Sequence, residues 1–251
     1  MPIEIQKPLK KLLPYLLKAQ EDSLNEADTV QRLTKVFEDV LGYNPMTEVT
    51  REMQVKDKYV DITIKADDTI RFLVEAKAAG VTLRERHIDQ AERYAAEGNI
   101  PWVILTNGVH WHLYHLTFDE GIEYEEVFEV DLATDPMDRV VECFTLLHRQ
   151  SVRGKALESF WEQHTALSPE SIGRALFAED TLGFIRRNIR RQDGILIDVE
   201  DLAGAIHAMF SNEAREKIGP VRIRRRRRAR VAKEAPVDPA AAAGGKDATA
   251  Q

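Results

Sequence analysis

The sequence predicts an α/β protein in which a mixed sheet is flanked by helices, and three observations carry that expectation. Residues 59–77, YVDITIKADDTIRFLVEAK, hold two short segments of period two joined by Ala-Asp-Asp-Thr. A stretch of helical periodicity precedes them, and another separates them from a third, apolar segment at 102–106. A tight link makes the first two strands an antiparallel hairpin, whereas a strand, a helix and a strand in succession imply a right-handed parallel crossover.

Each element has its own signature. Val30, Leu33, Phe37, Val40 and Leu41 form an apolar stripe that stops at Gly42, and Ser23 to Glu26 reads as an S-x-x-E capping box at its start. Val60, Ile62 and Ile64 alternate with Asp61, Thr63 and Lys65; Phe72, Val74 and Ala76 alternate with Leu73, Glu75 and Lys77. Residues 82–98 read as a helix capped by Thr82, ended by Gly98 and apolar along Ile88, Ala91 and Ala95. Asn107-Gly108 then signals a turn into a strand over 111–116. His110, His112 and His115 crowd this strand, and with no Cys nearby they read as polar strand-face residues rather than a metal centre. Helical patterns follow at 140–147, 155–161, 182–189 and 199–210, with a helix start at Ser168-Pro169-Glu170. The ILIDV link after Gly194 is too long and apolar for a helix-turn-helix, so this region is expected to serve packing or association.

The hairpin carries the chemistry. Glu75 and Lys77 leave one face of their strand, and Asp61 joins them only if the connection is odd in length or a bulge restores the parity. Asp61 and Glu75 can then share one divalent ion. Mg²⁺, with Mn²⁺ as a substitute, suits oxygen ligands, and the Ala76 carbonyl is a further candidate. Lys77 beside them can orient a water and stabilise negative charge. The alternative is a surface hairpin with ordinary polar residues. Glu26, one turn before Val30, can reach the metal or simply close the capping box; Glu38 and Glu48 are acidic residues that can be confused with it. Gln90 and Tyr94, four apart, project together from their helix.

Over roughly residues 20–120, Asp61, the Glu75-Ala76-Lys77 run, NEADTVQRLTKVFEDVLGY, HIDQAERYA and WVILTNGVHWHLY occur in the order of a known family. The chain resembles the PD-(D/E)xK nuclease superfamily and, within it, the nuclease domain at the start of type I restriction enzyme R subunits. The resemblance implies a restriction-endonuclease-like fold, a metal site at Asp61 and Glu75, assistance from Lys77, and Gln90 and Tyr94 as the Q-x-x-x-Y pair. It also gives Glu26 a precedent as an outer ligand. One departure is Val60, where the family's naming motif has Pro.

Composition is compatible with a DNA enzyme that concentrates its positive charge. The chain has 251 residues, 43% apolar and net charge −7; the last 32 residues hold nine Lys and Arg against three Asp and Glu, which leaves the rest at −13. Basic residues must therefore gather, and Arg84, Arg86 and Arg93 or Arg186, Arg187, Arg190 and Arg191 are candidates. The expected division is a nuclease domain over 1–135, a helical appendage over 136–215 and a disordered basic, low-complexity tail over 216–251. No apolar run spans a bilayer and no signal peptide is read, so a soluble cytoplasmic protein is expected. Cys143 reads as a packed thiol. The absence of G-x-x-x-x-G-K-[ST] excludes a self-contained ATP-driven restriction subunit. The expectation is a Mg²⁺-dependent DNA endonuclease of restriction, defence or repair, acting alone, as a homodimer, or with a motor or methyltransferase in trans. Its rivals are a noncatalytic nucleic-acid-binding or assembly module that keeps the fold, and a nuclease for RNA.

Overall fold

The computed structural model describes residues 3–55, 58–118 and 121–221, so the Arg-rich segment of the tail lies outside the described residues. The chain divides into two compact units, Met1–Ala166 and Leu167–Gln251.

The first unit is built on the expected mixed sheet. Its strands are β1 (Val49–Val55), β2 (Lys58–Ala66), β3 (Thr69–Ala76), β4 (Trp102–Thr106), β5 (His110–Thr117) and β6 (Glu123–Asp131), in that spatial order. Among the described residues only β3 and β4 pair in parallel, because α3 (Asp89–Gly98) lies between them in the chain and carries it back. Helices α1 (Gln6–Glu21), α2 (Glu26–Asp39), α4 (Met137–Leu147), α5 (Arg149–Arg153) and α6 (Ala156–Ala166) complete the unit.

Two cores follow from the period of two. Ile62, Ile64, Phe72, Val74 and Ile104 pack with Leu9 and Leu16 of α1, Leu33 and Phe37 of α2, and Phe144 of α4. Leu73, Val103 and Leu105, of opposite parity, pack with Ile88, Ala91, Tyr94 and Ala95 around α3. The sheet is thus covered on both faces, as a parallel pair requires. Part of the stretch expected as an appendage, 136–166, belongs to this sheet unit, because Val140, Phe144, Leu147, Val152 and Leu157 join its main core.

The second unit contains α7 (Pro169–Leu176), α8 (Glu179–Asp193), α9 (Val199–Ala208) and α10 (Asn212–Ile218). Ser168 caps α7 by accepting the Ser171 N–H at 3.2 Å, with Pro169 at the first helical position. A small core centres on Leu182, Leu202 and Ala203. Among the described residues, no helix is long and apolar enough to cross a membrane.

Two expected caps differ from the structure. Ser23 does not cap α2; it sits in the left-handed region (φ 49°), and Asn25 is the N-cap, its Oδ1 accepting the Asp28 N–H at 2.9 Å. Nor does a helix start at Thr82. A 3-10 turn over Glu85–His87 precedes α3, and the helix closes on a left-handed Asn99 just after Gly98.

Candidate active site

A bulge sets the site. Asp67 and Asp68 form a two-residue turn with positive φ at both positions, the form that suits a tight hairpin. An even link alone would put Asp61 and Glu75 on opposite faces. The register shifts between Ile64 and Lys65, which pair with Phe72 and Ile70 and leave Arg71 as the extra residue. Beyond the bulge Ile62 pairs with Val74, so Asp61 and Glu75 become cross-strand neighbours on one face.

The backbone then fixes the side chains. The Ala76 N–H donates to Asp61 Oδ2 at 2.8 Å. The Lys77 N–H donates to the Thr106 carbonyl at 2.9 Å, which aligns the end of β3 with the end of β4. The Lys77 ammonium donates to Glu75 Oε1 and lies 3.9 Å from Glu26 Oε2. Glu26 is freed for this contact because Asn25, not Glu26, does the capping. The Ala79 N–H donates to the Leu24 carbonyl at 3.0 Å, tying the loop after Lys77 to the start of α2.

Burial makes the site electrostatically tense. Burial first, and the Asp61 charge second, push the Glu75 carboxyl up to about 7. Burial also raises Asp61, with the Ala76 N–H opposing it and Glu26 adding to it. Burial works to lower Lys77, but the hydrogen bond it donates to Glu75 and the charges of the surrounding carboxylates outweigh it and hold the ammonium above its ordinary value. Glu75 is only 2% exposed, and its Oε2 is buried with no hydrogen-bond partner among the described residues. Among the described residues, one lysine therefore serves three carboxylates, and a second cation would find an oxygen waiting for it. Glu26 and Asp61 also line a cleft of about 660 Å³ together with Val30, Arg51 and Glu52.

The remaining expected residues separate. Tyr94 is buried in the core around α3 that also contains Leu73. Gln90 lies on α3, but its side chain falls outside the described residues. Glu48 is structural: it is 8% exposed, accepts from Arg149 Nε at 2.7 Å and takes the Asn44 N–H at 2.8 Å. Burial pushes Glu48 up, yet Arg149 and the Asn44 N–H outweigh it and hold the carboxyl below its ordinary value. Glu38 pairs with Lys35 in solvent. Arg84, Arg86 and Arg93 are exposed, as are Arg187, Arg190 and Arg191, whereas Arg186 donates to the Ile197 carbonyl inside the second unit.

Asn107 supports the site in a way its turn signal did not disclose. It is 2% exposed, its Oδ1 accepts the Val109 and His110 N–H groups at 3.0 and 2.8 Å, and its Nδ2 donates to the Val81 carbonyl at 2.9 Å. It thereby clamps the segment that follows Lys77 to the β4–β5 turn. The signal available was a polar residue between two apolar strands, with Gly108 at φ 94° to let the chain turn.

No curated protein and no solved structure matches the chain. Residues 26–130, which run from Glu26 through the carboxylate pair, Lys77 and α3 to β6, match the model of the family described as type I restriction enzyme R protein N terminus.

Proposed function

We propose that the chain is a Mg²⁺-dependent endodeoxyribonuclease of the PD-(D/E)xK type, with Mn²⁺ as a substitute, acting in restriction or in DNA defence or repair. The observation that carries this reading is the convergence of Asp61 and Glu75 from neighbouring strands, with Lys77 Nζ between Glu75 and Glu26. The residues fit a hard divalent cation: two carboxylates, an orphaned buried Glu75 oxygen, and the Ala76 carbonyl, which leaves the same side of the strand as the N–H bound to Asp61. Glu26 is an outer candidate.

A bound ion of this class supplies charge to a phosphoryl oxygen and acidity to a water. The protein does the rest. Asp61, braced by backbone, keeps its carboxylate in place without side-chain freedom. Lys77, tethered through its own N–H to Thr106, presents an ammonium beside the position of the attacking water and offsets charge on the phosphate. Tyr94 is part of the core that packs α3 against the sheet, and Gln90 is assigned to the same helix in a supporting role. Arg84, Arg86 and Arg93, exposed on and before α3, supply phosphate contacts in an otherwise acidic body. DNA is the proposed substrate, the cytoplasm the proposed location, and a homodimer or a motor or methyltransferase in trans the proposed assembly.

The test is cleavage of supercoiled plasmid, single-stranded DNA and RNA by purified protein with Mg²⁺, Mn²⁺ or EDTA. Nicking of DNA that needs metal and is lost in Lys77→Ala and Asp61→Ala is expected. DNA binding by folded wild type without nicking, unchanged in Lys77→Ala and lost on replacing the arginines, would instead establish a noncatalytic binding module.

A further inference from the structure

A second bulge assembles a second group of ligand-type side chains on the same face of the sheet. Along β5 and β6 the register runs His112 opposite Glu129 and Leu113 opposite Phe128, then shifts so that Tyr114 faces Glu126 and Val127 is the extra residue. Glu126 and Glu129 are three apart, an odd spacing that a regular strand sends to opposite faces. The bulge returns Glu126 to the face of Glu129 and His112, which is one of the recognised uses of a bulge, to re-aim a side chain. As a result one nitrogen of His112 and one oxygen from each glutamate lie within 4.8 Å of one another. Glu126 Oε1 is 2.5 Å from His112 Nδ1, and Glu129 Oε1 is 3.9 Å from Nε2. His112 is held for this purpose: its side chain is 14% exposed, and its ring stacks on Tyr114 at 6.0 Å and 5° between planes. His112 and Glu126 line a cavity of about 440 Å³ that opens next to Arg84 and Tyr124.

We propose that His112, Glu126 and Glu129 form a binding site for a transition-metal dication of the Zn²⁺ class, separate from the carboxylate pair. Imidazole with two carboxylates suits Zn²⁺, Co²⁺ or Ni²⁺, whereas Mg²⁺ favours oxygen ligands. A tetrahedral ion with bonds of about 2.0 Å holds its ligand atoms about 3.3 Å apart. The two glutamates, 43% and 61% exposed, are free to close the small remaining distance, while the half-buried histidine serves as the anchor. The site lies two strands from Glu75: Glu75 pairs with Leu105, and Leu105 with His112, so the two centres are roughly 10 Å apart at ordinary strand spacing. The ion would staple the acidic edge strand β6 to β5, replacing repulsion between Glu126 and Glu129 by shared coordination.

Metal-stripped full-length protein titrated with Co²⁺, followed by its visible absorption and by equilibrium dialysis, tests the proposal. Wild type and Asp61→Ala are both expected to show the intense visible band of one low-coordinate Co²⁺, displaceable by Zn²⁺, apart from any Co²⁺ that the carboxylate pair takes up in wild type. Glu129→Gln, at an exposed position, is expected to bind about tenfold more weakly or worse, and His112→Asn to lose the band. Absence of the band in wild type, or unchanged binding in Glu129→Gln, would overturn the proposal. So would loss of binding in Asp61→Ala with retention in Glu129→Gln, which would place the ion at the carboxylate pair.

Discussion

Glu75→Gln separates the cost of the buried carboxylate from the benefit it brings once a cation is present. In the folded, metal-free protein the Glu75 pKa stands at about 7 against an ordinary 4.5, burial being the larger cause and the Asp61 charge the next. Between those values the folded state keeps a proton that the unfolded chain has released, so stability falls as pH rises through this window. The penalty is absent below pH 4.5 and complete above pH 7. A displacement of this size corresponds to roughly 3 kcal/mol, and solvent screening takes little of it because the Glu75 side chain is 3% exposed. Glutamine is nearly isosteric with the protonated acid, so the variant removes ionisation and little else. At about 2–4 °C per kcal/mol for a unit of this length, the variant is expected to melt roughly 6–12 °C above wild type at pH 8 in EDTA. At pH 5 the two should nearly coincide. Millimolar Mg²⁺ should raise the wild type toward the variant at pH 8 and leave the variant unmoved, since a ligand that binds only the folded state stabilises by mass action. A variant that melts no higher than wild type at pH 8 would refute the electrostatic argument, and a wild type unmoved by Mg²⁺ would refute the cation fit.

Three further outcomes are expected. Asn107→Ala strands the Val109 and His110 N–H groups and releases the Val81 carbonyl, so it should cost about 3 kcal/mol in a denaturant titration; a loss within about 0.5 kcal/mol would mean the clamp is ornamental. Arg149→Ala leaves the Glu48 carboxylate, 8% exposed, with the Asn44 N–H but without its cation, at a cost of about 3 kcal/mol, whereas Glu38→Ala breaks an exposed pair and should change stability by no more than about 0.5 kcal/mol; equal effects would contradict the structural role of Glu48. His115, which stacks on Trp161 at 4.1 Å, is lowered by burial to about 4, so the unfolded chain takes up a proton that the folded one refuses and stability is lost as pH falls from about 6.5 toward 4. His115→Phe keeps the stack and should flatten that part of the acid limb in urea midpoints measured across this range; an unchanged limb would remove His115 as its cause.

The legible parts of the fold were those with one apolar side to bury. The α2 stripe and the alternation in β2 and β3 fall where periodicity put them, because Leu33, Phe37, Ile62, Ile64, Phe72 and Val74 have a single core to meet. Helix α1 was hidden by Pro14 inside it, which reads as a breaker, although Leu9, Leu16 and Ala19 form its buried side. Strands β1 and β6 were hidden by charge: VTREMQV and EYEEVFEVD lack clean alternation because they are sheet edges, where charged residues discourage further pairing. The misplaced caps have tertiary causes. The Leu24 carbonyl is engaged by the Ala79 N–H and the Val81 carbonyl by Asn107, so the segments around Ser23 and Thr82 are shaped by contacts from distant parts of the chain. Glu26 was preferred to Glu48 on its place in the helix and on the resemblance, and the fold supplies the physical reason: Arg149 neutralises Glu48, whereas Lys77 approaches Glu26.

Parity explains why the chemistry was harder to read than the fold. A period-two pattern assigns faces within one strand, but the relation between two strands depends on every residue in the connection and on any bulge. At β2–β3 the extra residue is Arg71, and without it Asp61 would stand opposite Val74 and point into the main core. At β5–β6 the extra residue is Val127, and without it Glu126 would leave the face of His112. Each bulge interrupts the ladder and leaves a residue unpaired, which a sheet selected for stability alone has no reason to keep. Both interruptions act in the same direction: each moves a carboxylate onto the face that carries Glu75, Leu105 and His112. Where local regularity is broken twice to bring charge of one sign together, the compensating gain must come from something of the opposite sign, and Lys77 supplies only part of it at the first position.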